Sequence, residues 1–208
     1  MIPSLRAVYD ELTERATEPP WSTRCQQLRA ELVARCGGFE PDHPAAAARD
    51  AASLEHALVA GGLARAIGAE LHDPSERAEA LAIAGAIPAL LLMEDHAGLL
   101  VAHDVWSGAA WWIAPGDDVG RDLRPQLRDP PLVQCRLVVT DAGAALLPGV
   151  VFHAADAVET IQHTLARAAE LQLSTAQVFE ALLRMEHRFH SHTRIKVSYA
   201  YRAEVLSG

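Results

Sequence analysis

The hydrophobic period of this chain changes twice, and those two changes constrain its fold more than any other feature. Up to residue 87 the apolar residues recur at helical spacing: Leu5, Val8 and Leu12 in the first segment, then Cys25, Leu28, Leu32 and Cys36. Between 88 and 153 the pattern becomes a series of short runs rich in branched and aromatic residues, at 90–93, 99–105, 110–113, 132–140 and 144–152. Three of the breaks between them end in Gly98, Gly108 and Gly143, the chemistry of hairpin turns. After 154 the helical period returns, with Val158, Ile161 and Leu165 on one stripe and Val178, Leu182, Met185 and Phe189 on the next. The expected fold class is α+β: N-terminal helices (1–87), a five-stranded antiparallel barrel-like sheet (88–153), and a C-terminal helical hairpin with a basic tail (154–208). Neither helical part buries its apolar face alone, so the three are expected to form one interdependent unit.

Local signals place the boundaries. Asp73, Pro74 and Glu76 are the cap, first-turn proline and reciprocal acid of one helix, and Ser174 with Gln177 is a capping box for another. Residues 45–71, rich in Ala, Leu and Ile around Gly61 and Gly62, are expected to form one central, buried helix. Pro88 should end or kink the helix before it. Residues 117–131 read as one long charged loop, and 195–201 as extended.

Composition excludes several classes. Half of the 208 residues are hydrophobic and 22% are charged, which describes a globular protein. The most apolar stretch, 81–93, falls short of the ~20 residues that span a bilayer. No leader pattern is present at the start, so a cytoplasmic location and no membrane partner are expected. Lys196 is the one lysine, and the Arg and Ala bias fits a bacterial genome of high G+C content. Cys25, Cys36 and Cys135 form no CxxC and sit on apolar faces, so each is expected to act as a small buried hydrophobe.

Ten histidines raise the question of a metal. The densest group is Glu186, His187, His190 and His192, but Arg188 and Arg194 interleave with it and repel a cation, so no metal is assigned there. There is no GxSxG, GxGxxG or GK[ST] motif, and no acid, base and nucleophile converge; no catalytic residue and no cofactor are assigned. The aromatic residues say more. Trp106 precedes a turn and the Trp111–Trp112 pair follows it, so two-residue alternation turns one of the pair outward. In the tail, Arg184, Arg188, Arg194, Lys196 and Arg202 alternate with Phe189, Tyr199 and Tyr201, a mixture that single-stranded nucleic acid favours. The chain as a whole carries −9, which repels phosphate backbones, so nucleic acid is not an expected partner. The expected function is therefore that of a non-enzymatic binding or adaptor protein. Trp106, Trp112, Arg188, Arg194 and Lys196 would meet a protein partner, with homo-oligomerisation a further use of the same surfaces.

Two resemblances add to this. The stretch from Glu55 and His56 to Ile67 looks like the first helix of the HD-domain metal phosphohydrolases. His103 and Asp104 form a literal HD pair, and His153 to Asp156 resembles the segment bearing that family's last Asp ligand. This resemblance implies an alternative function, a metal-dependent phosphohydrolase with His56, His103, Asp104 and Asp156 as ligands. The succession of Phe39-Glu40-Pro41-Asp42-His43-Pro44, Asp104-Val105-Trp106-Ser107-Gly108, Leu147-Pro148-Gly149 up to His153, and Leu183 to His187 resembles a group of uncharacterised bacterial α+β proteins. It implies a shared fold and carries no activity.

Overall fold

A computed structural model describes residues 1–125, 131–192 and 194–207. Helices α1 (Pro3–Thr17) and α2 (Ser22–Cys36) bury the faces their spacing defines, with Leu5, Val8 and Leu12 on one and Cys25, Leu28, Leu32 and Cys36 on the other. All three cysteines are free and buried. The single helix expected over 45–71 is instead broken into α3 (Ala46–Glu55), a π-helical turn (His56–Ala60) and α4 (Leu63–Gly68). Gly62 causes the break, since it adopts the left-handed conformation (φ 78°) that an interior helical residue cannot hold. Gly61 lets α2 come close: a Cβ there would lie 2.4 Å from Leu28 Cδ1. Helix α5 (Pro74–Ala84) starts on its Asp73 cap, whose carboxylate accepts from the N–H groups of Ser75 and Glu76.

Pro88 does not kink that helix. It lies in strand β1 (Ile87–His96), where β1 has a neighbour on one side only and no ladder bond is lost. The sheet continues with β2 (Leu99–Asp104), β3 (Ala110–Trp112), β4 (Leu132–Thr140), β5 (Gly143–Leu146) and β6 (Val151–His153). Its order is β3-β2-β1-β4-β5, antiparallel, with β6 pairing the other end of β4. The run 144–152 thus splits in two at Pro148 and Gly149. The sheet curls until its edges touch: Ile113 bridges Ala144, and the Ala114 N–H donates to the Ala144 carbonyl at 2.8 Å. A Cβ on Gly143 would lie 2.7 Å from the Trp112 carbonyl oxygen, so this closure needs glycine there. The loop expected over 117–131 contains a short helix α6 (Asp118–Leu123), and residues 126–130 lie outside the described ones.

Helices α7 (Val158–Glu170) and α8 (Thr175–Ser191) form the C-terminal hairpin, with the Ser174/Gln177 capping box in place. The tail is not extended: Val197–Ala200 is a helical turn, α9, and Tyr201 behind it is fully buried.

Strand parity divides the core. Odd positions of β4 (Val133, Cys135, Leu137) fill the concave interior of the sheet with Ala89, Leu91 and Met93 of β1. Even positions face the helices, and at the two ends of the strand they meet different ones. Leu132 and Leu90 join the C-terminal helices, whereas Val138 joins the N-terminal ones. Each helical cluster is therefore completed by strand residues.

Candidate functional site

Between those ends the even positions of β4 are Gln134 and Arg136, and there the two helical groups part. The gap is a half-enclosed cavity of about 150 Å³, lined from β1 by Pro88, from α3 and the π turn by Glu55 and His56, and from α8 by Phe179 and Leu183. Its wall is mostly apolar, with a few convergent polar groups, the usual make-up of a small-molecule site. The π turn matters to its geometry. One extra residue in the turn re-aims the side chains that follow, and π turns concentrate at functional sites for that reason.

Glu55 is buried, its carboxylate accepting from the Gly149 N–H and, at 3.4 Å, from the Tyr9 hydroxyl. A Cβ at Gly149 would lie 2.6 Å from Glu55 Cδ, so only glycine permits this approach. Burial raises the Glu55 carboxyl to about 7, against the opposing pull of the Gly149 N–H, the Arg136 charge and the Tyr9 hydroxyl. Arg136 is drawn down by burial and held up by Glu55. For both groups burial is the largest influence, and it opposes their charged forms. Arg136 makes no salt bridge among the described residues. His56 is half-buried and lowered by burial first and by Arg136 next, which favours its neutral form.

Beneath the cavity the same strand face holds a polar network. Gln134 Nε2–H donates to the Phe179 carbonyl at 3.1 Å, which turns its Oε1 towards His153 Nε2 at 3.0 Å. His153 therefore carries its proton on Nε2 and accepts at Nδ1 from the Tyr201 hydroxyl, 3.0 Å away. Burial lowers His153 to about 3.

The residues singled out from the sequence are dispersed. Trp106 packs against the C-terminal helices, and its indole N–H donates to Thr175 Oγ1 at 3.1 Å. Trp111 packs inward and Trp112 is 59% exposed, the split that alternation requires. Arg188 is half-buried, while Arg194 and Lys196 are exposed. Of the four residues in the HD-like set, His56 lines the cavity and His103 is exposed on β2. The Asp104 carboxylate is committed to its own hairpin, accepting from the N–H groups of Leu90, Trp106 and Ser107 and from the Ser107 hydroxyl. Asp156 is exposed in the 3₁₀ turn Ala155–Ala157. Among the described residues no three of these four bring ligand atoms within 4.8 Å of one another. In the histidine-rich segment, His187 Nε2–H donates to the Gly38 carbonyl at 2.9 Å, which ties α8 to the end of α2.

Glu55 and Arg136 were not singled out as a pair from the sequence. A signal existed for one of them: Gln134 and Arg136 alternate within an otherwise apolar strand, the mark of a face that is not uniformly buried.

Comparison with known protein families, curated proteins and solved structures gave no match, so the site is read from its own geometry.

Proposed function

We propose that the protein is a binding protein whose cavity takes a small anionic molecule with an apolar body, of the class of carboxylates about as bulky as a benzene ring. The observation that carries this reading is Arg136, a guanidinium lining an apolar cavity without a salt-bridge partner among the described residues. A cation in that position is stabilised by an incoming carboxylate, with which it forms a bidentate pair, and a cavity near 150 Å³ matches a ligand of benzene size. The phosphohydrolase alternative asks for a convergent ligand set, which makes binding the better reading. A cytoplasmic location belongs to the same reading, in keeping with three unpaired cysteines; no helix among the described residues is long and apolar enough to cross a membrane.

Calorimetric titration with benzoate and short-chain carboxylates tests it. Above pH 7 Glu55 is ionised and repels an anion, whereas below about 7 it is neutral. Affinity is expected to fall as pH rises through that value. Glu55→Gln should bind at high pH as the native protein does at low pH, and Arg136→Met should lose about tenfold or more, since a charge-assisted pair contributes ~1.5–3 kcal/mol. Equal binding by Arg136→Met would refute the reading.

The exposed Trp112 favours a second reading, docking of a protein partner on the outer face of β2 and β3. Here Trp112→Ala is expected to weaken capture of partners in pull-downs while leaving the stability within the range of a surface change, about ±0.5 kcal/mol. Unchanged capture would count against it.

A further inference from the structure

The hairpin of β1 and β2 carries a second group of convergent side chains, none of which lines the cavity. Glu94 and His96 are two apart on β1 and so share a face. His103 on β2 stands opposite Leu92, which has the same parity, and so joins them. The three donor atoms, a Glu94 carboxylate oxygen and one ring nitrogen from each histidine, lie within 4.8 Å of one another. Glu94 Oε2 and His96 Nε2 are already 2.9 Å apart. We propose that Glu94, His96 and His103 form a binding site for a divalent late transition metal of the zinc class.

The donor set fixes the class. Two imidazole nitrogens and one carboxylate suit zinc, nickel or copper, whereas calcium and magnesium take oxygen-rich sites. Around zinc the donors stand ~2.0–2.2 Å from the ion. The backbone beneath them is held. Ala97 (φ 54°) and Gly98 (φ 88°) form the tight two-residue turn that matches strand twist. Asp95 accepts from the Gly98 N–H at 2.7 Å, and Arg124 bridges the Asp95 carboxylate and the Gly98 carbonyl. Arg124 is thereby engaged on the other face of the strand, where it does not compete for Glu94. Three protein ligands leave a tetrahedral ion one position for water or for a donor from a second molecule. His103, which the HD-like pattern grouped with His56, Asp104 and Asp156, is brought by the register onto the face of Glu94 and His96 instead.

Titration of tag-free protein with zinc chloride, followed by calorimetry, tests this site. One ion per chain is expected in the tightest event. Losing even an outer-shell partner typically costs about 10–100-fold in affinity, so His96→Ala, His103→Ala and Glu94→Gln should each lose about tenfold or more. All three residues are exposed, and circular dichroism should show the native helix content in each variant. His187→Ala combined with His190→Ala should leave the event unchanged, and magnesium chloride should give no comparable heat. The proposal is overturned if the Glu94, His96 and His103 variants bind as the native protein does, if the tightest event is lost in the His187/His190 variant instead, or if magnesium binds equally well.

Discussion

Acidification from pH 6.5 towards 3 is expected to remove up to about 5 kcal/mol of folding stability through His153 alone. Its folded-state value of about 3 lies below the 6.5 of an exposed imidazole. Between those two values the unfolded chain binds the proton and the folded chain does not, so unfolding is favoured as pH falls; each tenfold difference in proton affinity contributes ~1.36 kcal/mol. The stability is fully present above 6.5 and is lost as pH falls towards 3. Protonating His153 would also place a donor at Nδ1, facing a Tyr201 hydroxyl that now donates to it. Glu55 works in the opposite direction. Its folded value of about 7 lies above the ordinary 4.5, so its contribution is present at low pH and is lost as pH rises through that window. The two slopes partly cancel in the native protein, and the variants separate them. In urea titrations across this range, Glu55→Gln should steepen the acid loss, because the opposing group is gone. His153→Gln should flatten it from a lower starting stability. An acid slope in His153→Gln equal to the native one would show that some other buried group governs acid unfolding.

The parts of this structure that sequence reveals are those set by neighbours along the chain. The change of period at Pro88, the Asp73 cap, the Ser174/Gln177 box and the opposed faces of Trp111 and Trp112 each depend on residues a few positions apart. The misread elements depended on distant contacts. The segment 45–71 has helical composition throughout, but the approach of Leu28 to Gly61 and the left-handed Gly62 divide it. The tail, expected to be extended over 195–201, contains the helical turn α9 ahead of Tyr201. Tyr201 is drawn inside by His153, and Thr164 Oγ1–H donates to its carbonyl at 2.8 Å. The cavity was hidden for the same reason. Alternation shows that Arg136 shares a face with Leu132 and Val138, yet nothing local says that one end of that face meets α7 and α8 while the other meets the N-terminal helices. The gap between them, and the approach of Glu55 on α3 to Arg136 on that face, exist only in three dimensions.

Removing the Glu186 carboxylate is expected to destabilise the protein by about 3–5 kcal/mol, the cost of leaving one partner of a buried ion pair uncompensated. Arg49 on α3 and Glu186 on α8 form such a pair, each side chain 4% exposed. Arg49 Nη2 donates both to Glu186 and, at 2.8 Å, to the Leu183 carbonyl, and the guanidinium lies over the Phe39 ring at 5.5 Å. Its Nε and Nη1 have no partner among the described residues, so the charge is already incompletely satisfied. In Glu186→Ala only a carbonyl and a ring face would remain to it. Urea denaturation near neutral pH should show the loss as a lower midpoint with an unchanged slope. Joint replacement, Arg49→Met with Glu186→Leu, should recover most of it, because two apolar side chains carry no desolvation cost. A midpoint in Glu186→Ala equal to the native one would mean that Arg49 finds water or another acceptor there. The pair also bears on the cavity. Helix α3 brings both Arg49 and Glu55, and α8 brings both Glu186 and the Phe179 and Leu183 side chains of the opposite wall. The ion pair therefore ties together the two helices that carry opposite walls of the cavity. Glu186→Ala should weaken carboxylate binding even at temperatures where the variant remains folded, whereas the joint apolar replacement, which keeps the helices together, should retain it.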